Sequence, residues 1–151
     1  MTAARRTWVL AIGAWAFLAF WLCLFTGSMF AGACRKPELS PEQRLFRCGW
    51  AWTLSTPARL LGDPPGRYAG GQMEIGIALA ETGDPDAAAV AFAHALRLAG
   101  LTLPVEPERD LRPVPSGAND AARGLYRRAL DLAQDHPARV LFLEVASGAG
   151  P

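Results

Sequence analysis

Apolar positions along the chain fall into two regimes. From Thr7 to Cys34, in TWVLAIGAWAFLAFWLCLFTGSMFAGAC, there is no charged residue and no polar face. Beyond it, apolar positions recur at helical spacing between breaks set by Gly, Pro and Asp. As a helix, Trp8–Phe30 would reach roughly 34 Å, enough to cross a hydrocarbon core of about 30 Å. Trp8 lies where an interfacial aromatic is expected. Residues 1–33 are therefore expected to be a retained transmembrane anchor, with residues 8–30 in the lipid bilayer. A cleaved signal is the competing reading, because Arg5 and Arg6 precede the run and Ala31-Gly32-Ala33 resembles a cleavage site. The run is longer than the roughly 7–15 residues of a signal core. A lipoprotein signal at Cys34 and a twin-arginine signal at Arg5-Arg6 fit less well.

The second regime predicts helices throughout. Ser40-Pro41-Glu42-Gln43 is a capping box with Pro at the first helical position, opening a helix over Pro41–Leu54. Thr56-Pro57 starts a short turn of helix, and Gly62-Asp63-Pro64-Pro65-Gly66 ends it. Arg67–Thr82 reads as a helix with Gln72, Ile75, Gly76 and Leu79 on one stripe. Gly83 breaks it, Asp84 caps the next helix, and that helix runs to about Ala99, burying Ala88, Phe92, Ala95 and Leu96. Prolines 104, 107, 113 and 115 leave room for only one turn, in PERDLR. Asn119 or Ser116 caps a helix from Asp120 to Gln134. Pro137 opens a last apolar segment, read as helix from its surroundings.

Shifted by 34 residues, the chain matches itself: Gly83 on Gly117, Ala88 on Ala122, Phe92 on Tyr126, Ala95 on Ala129 and Leu96 on Leu130. That period and those residue types resemble the tetratricopeptide repeat. Gly76 takes the place of its small first-helix residue and Gly83 that of its turn. Gln72 stands where the family has tryptophan, and Gly100 replaces the terminal proline. The fold class expected is thus all-α: a transmembrane helix, a helical linker or capping region over 34–66, tetratricopeptide-like hairpins over 67–135, and a C-terminal segment over 136–151. The resemblance implies a concave groove for an extended or helical peptide, lined by Met73, Ile77, Ala80 and Glu81. Packing of these residues on neighbouring helices is the equally open alternative. Such arrays usually need about three units, and one is intact here, so the remainder leans on flanking helices or a partner.

Charge alters this picture little. Fifteen basic residues face fourteen acidic ones, with no polybasic patch that would suggest nucleic acid. Arg123, Arg127 and Arg128 form a small basic face, read as solvated or, more sharply, as a contact for an acidic partner or lipid headgroups. His94 and His136 have no ligand at metal spacing and read as solvated. No phosphate loop or nucleophile elbow is present, so neither an enzyme nor a bound cofactor is expected. Cys34 and Cys48 are either two free thiols or a bridge worth about 3 kcal/mol, which would require an oxidising compartment. Cys23 is an apolar filler within the span. The slight excess of positive charge before the span favours an internal N-terminus.

Together these features point to a single-pass protein of the inner (cytoplasmic) membrane with a periplasmic C-terminal domain. Its expected role is a protein–protein interaction module of an envelope complex, with that complex as partner. The alternatives are a structural subunit held mainly by its membrane helix, or a secreted periplasmic protein.

Overall fold

The computed structural model describes residues 3–36, 38–112, 117 and 119–149. Among them the chain forms eight helices and no strand. They are α1 (Ala3–Ala33), α2 (Pro41–Leu54), α3 (Thr56–Leu60), α4 (Gly66–Glu81), α5 (Pro85–Leu98), α6 (Pro107–Asp110), α7 (Asp120–Leu130) and α8 (Pro137–Ala146). One of them, over Thr7–Ala33, is long and apolar enough to cross a membrane.

Local signals place most helix starts. The Ser40 hydroxyl accepts from the Gln43 N–H at 3.3 Å, and Asp84 Oδ1 accepts from the Ala87 N–H at 3.1 Å. Pro41 and Pro85 follow those caps, where a missing N–H leaves no helical bond unmade. The last start has an unexpected cap: His136 Nδ1 accepts from the Ala138 N–H at 3.2 Å. Asn119 precedes α7 without a side-chain cap bond, and Ser116 lies outside the described residues. Gly83, at φ 84°, reverses the chain between α4 and α5 in a conformation that residues with a Cβ adopt only at a cost.

α4 is the central helix, packed against α5, α2, α7 and α8. Its environment corrects the single-stripe expectation. Ala69, Gln72, Met73, Glu74, Gly76, Ile77 and Ala78 are all buried, because neighbours cover the helix on several sides. On α5, Ala88, Phe92, Ala95 and Leu96 are fully buried, as their spacing predicts. Phe92 meets Phe142 of α8 edge-on at 5.6 Å, and Tyr126 of α7 meets the same ring at 5.3 Å. At Gly76 the Phe92 ring of α5 packs directly onto the α4 backbone: a Cβ there would lie 2.5 Å from that ring.

The 34-residue echo is only partly equivalent in space. Ala122 and Ala129 are buried and Tyr126 is half-buried, but Leu130 is 54% exposed where Leu96 is fully buried. α7 also stops at Leu130 rather than Gln134. The Arg139 guanidinium of α8 donates to the carbonyls of Leu130 (3.4 Å) and Leu132 (2.9 Å), satisfying acceptors that the ended helix releases.

α1 and α2 form a second antiparallel hairpin, joined to the first because α2 packs on α4 as well as on α1. Along the facing side of α1, Gly27 is buried and Phe20, Cys23, Leu24 and Phe30 are partly covered. Residues 7–19 of α1 are exposed, with Trp8 and Trp15 above 70%.

Candidate functional site

The residues implied as a peptide groove do not form an open surface. Met73 is 1% exposed and Ile77 not at all, both in the core between α4, α5 and their neighbours. Ala80 is half-buried against that core. Glu81 is engaged: its Oε2 accepts from Arg44 Nη1 at 3.2 Å, and its Oε1 lies 3.4 Å from His136 Nε2. The physical reason is the short array. With α2, α7 and α8 folded around α4, the concave side of the hairpin is filled by the protein's own helices.

Glu81 belongs to a polar network that sequence reasoning did not find. Glu74, buried on α4, receives two hydrogen bonds from Arg128 of α7, at 2.7 and 3.2 Å. Arg44 of α2, also buried, stands 3.8 Å from the same carboxylate and reaches Glu81 with its other arm. The bidentate partner holds the Arg128 guanidinium more firmly protonated than usual. A lone carboxylate at Glu74 would be costly to desolvate, so the two arginines are what make its position tolerable. One signal was present in the sequence. Glu74 and Glu81 are seven residues apart, hence on one face of a largely apolar helix, and they are its only acidic residues.

The network divides the expected basic face. Arg128 is committed to Glu74, Arg123 pairs with Asp120 one turn earlier, and Arg127 is exposed. The histidines are likewise structural rather than solvated. His136 caps α8 and meets Glu81, while His94 of α5 packs edge-on against Trp52 of α2 at 5.0 Å. Burial there pushes the His94 pKa down, helped by the nearby charges of Arg97 and Arg59.

Trp52 is the hub of a second cluster. The Arg59 guanidinium of α3 lies over its ring at 3.4 Å, and Arg59 Nη2 donates to the Trp52 carbonyl at 3.1 Å. Tyr68 approaches the other way, 6.2 Å from Trp52, and its hydroxyl donates to Asp63 at 2.6 Å. Burial and that acceptor raise the Tyr68 pKa. These contacts clamp α3 and the following loop onto the α4–α5 hairpin.

Cys34 and Cys48 are joined in a disulfide, with Cα atoms 5.1 Å apart, at the point where α1 turns into α2. Among the described residues, no group of three or more His, Cys, Asp or Glu is placed to hold a metal ion. Open depressions lie on two sides of the α4–α5 hairpin. The larger, about 570 Å³, lies between α5, the Leu103–Pro104 segment and the end of α8, floored by Ala89, Val90, Ala93 and Val145 with Asp86 and Arg97 at its rim. The smaller, about 330 Å³, lies between α4 and α7 and includes Arg35, Gly70 and Arg128. No protein-family model, curated protein or solved structure matches the chain.

Proposed function

We propose that the chain is a membrane-anchored protein–protein interaction module, an adaptor, assembly factor or accessory subunit of an envelope complex. The observation that carries this reading is the Thr7–Ala33 helix, 27 residues long with an 18-residue stretch of mean hydropathy 2.2, leading directly into a folded helical domain. The disulfide between Cys34 and Cys48 supports an oxidising compartment for that domain, and hence the periplasmic side of an inner membrane. The tetratricopeptide resemblance belongs to the same reading. Its support is the seating of the Phe92 ring against Gly76 and the complete burial of Ala88, Phe92, Ala95 and Leu96.

Because Met73 and Ile77 are buried, the partner surface of the domain is the α5–α8 depression rather than the first-helix groove. That burial also favours a second reading, a structural subunit whose main contact is α1 itself. Cross-linking and mass spectrometry on intact membranes separates the two. With the first reading, Val90→Asp and Leu103→Asp abolish cross-links to the partner, while membrane insertion and the thermal melt stay unchanged. Unchanged cross-links through these variants leave the structural subunit. Recovery of a chain lacking Met1–Ala33 removes the anchor from both.

A further inference from the structure

The second hairpin carries an apolar surface that the helical domain leaves uncovered. Phe46 and Trp50 on α2 are 60% and 46% exposed, and Leu60 and Leu61 at the end of α3 are 82% and 73% exposed. This surface is continuous with α1. Phe30 of α1 meets Phe46 at 6.4 Å, Phe46 meets Trp50 at 6.2 Å, and Gly27 is in contact with Leu54. α2 and α3 therefore run back along α1 from Cys34 toward its middle, and both touch it.

The depth of this hairpin follows from length. Thr7–Ala33 is 27 residues, roughly 40 Å of helix, against a hydrocarbon core of about 30 Å. Set at either end of the helix, a slab of that thickness still encloses Phe20 to Leu24, the stretch of α1 just beyond the Gly27–Leu54 contact. The returning helices α2 and α3 must then come down to the membrane surface. Its sequence changes character at the corresponding point. Glu42, Arg44 and Arg47 occupy the first half of α2, whereas Cys48–Ala58, CGWAWTLSTPA, has no charge and contains two tryptophans. Arg59 interrupts this only with its charge laid over the Trp52 ring. α1 carries its own tryptophans at positions 8, 15 and 21 and none near its C-terminal end, where an interfacial aromatic belt is expected.

We infer that the Phe46–Leu61 surface is immersed in the membrane interface beside the exit of α1, with Trp50, Leu60 and Leu61 entering the acyl boundary. This rests on α1 being a membrane anchor. The hairpin would dip about 5–10 Å into the bilayer, as amphipathic interfacial helices do. It would fix the height and tilt of the whole helical domain, since the disulfide and the Arg59–Trp52–Tyr68 cluster tie it rigidly to both α1 and α4.

The test is nitroxide accessibility in the full chain, reconstituted in vesicles of phosphatidylcholine and phosphatidylglycerol. Cys23→Ala removes the free thiol, the disulfide is kept, and single labels are placed through Leu18→Cys, Leu60→Cys, Leu61→Cys and Val90→Cys. Oxygen, which partitions into lipid, is compared with a nickel chelate, which stays in water. The expected result is an oxygen-to-nickel ratio above one at positions 18, 60 and 61, and below one at position 90. Nickel-dominated collisions at 18 overturn the anchor. Lipid exposure at 18 with nickel-dominated collisions at 60 and 61 overturns the interfacial contact alone. Labels at 60 and 61 shielded from both reagents overturn it too, and assign the surface to a second copy or another protein.

Discussion

The α4–α5 and α1–α2 hairpins are both antiparallel pairs joined by a short connection, yet they are held by different forces. The first interlocks. Gly76 admits the Phe92 ring, the turn at Gly83 needs a single left-handed residue, and neighbouring helices cover α4 on several sides. The second is riveted by a disulfide, with the Gly27–Leu54 and Phe30–Phe46 contacts beside it, and it leaves large aromatic and aliphatic side chains outward. The contrast teaches where the chain finishes its own core and where it relies on its surroundings. The interlocked pair keeps its large apolar side chains inside except at Val90, beside the α5–α8 depression; the cross-linked pair is apolar along its outer side and is built to be covered.

The contrast breaks most sharply at Gly76. Gly76→Leu places side-chain carbons inside the volume of Phe92, which is itself trapped against Phe142 and fully buried. Neither ring has space to retreat, so the expected loss is about 3 kcal/mol or more, with cooperative melting of the whole helical domain. Circular dichroism melts check this, and a melt unchanged from wild type would mean that the hairpin is not interlocked at this point. The riveted hairpin should respond differently. Cys34→Ala with Cys48→Ala removes roughly 2–3 kcal/mol of loop constraint. Hydrogen exchange should then rise in α2 while the amides of α5 stay protected. Equal loss of protection in both hairpins would show that they are one cooperative unit.

Glu74→Gln acts at the joint between the two. It removes the charge that Arg128 and Arg44 share and leaves Arg44 buried with only Glu81 to answer it. The expected cost is about 2 kcal/mol, smaller than at Gly76 because the glutamine oxygen still accepts a hydrogen bond. Double-mutant cycles with Arg128→Met measure the coupling, and additive losses would dissolve the network into independent contacts.

How far the sequence disclosed this arrangement depends on the range of the interaction that decides each feature. Caps at Ser40 and Asp84, the break at Gly83 and the buried face of α5 are local and were legible, since spacing and cap chemistry determine them. The environment of α4 was not legible. Periodicity marks a stripe, but cannot reveal that four other helices surround it, so Met73 and Ile77 look like groove residues until their neighbours are placed. Arg128 reads as one of three surface charges for the same reason. Its partner Glu74 is 54 residues away, and no spacing rule links them. The end of α7 at Leu130 depends on Arg139 of the next helix. His94 is the case between these extremes, because its helix face was foreseeable and the ring it meets was not.

That ring makes His94 the finest probe of the joint between the hairpins. Its imidazole lies on α5 and packs edge-on against Trp52 of α2. Burial, with Arg97 and Arg59 adding to it, lowers its pKa in the folded state. The unfolded chain, with an ordinary histidine near 6.5, therefore binds the proton more readily. Above that pH both states are neutral and His94 adds no slope. As pH falls below it, the unfolded state gains protons first and the stability of the folded state declines, levelling once pH passes the lowered value. His94→Phe keeps an aromatic ring against Trp52 and removes the proton site, so its melting midpoint should decline less than that of the wild type over this window. Parallel curves for the two proteins would mean that the proton reaches His94 without disturbing its contact with Trp52, and that the two hairpins are joined there by packing alone.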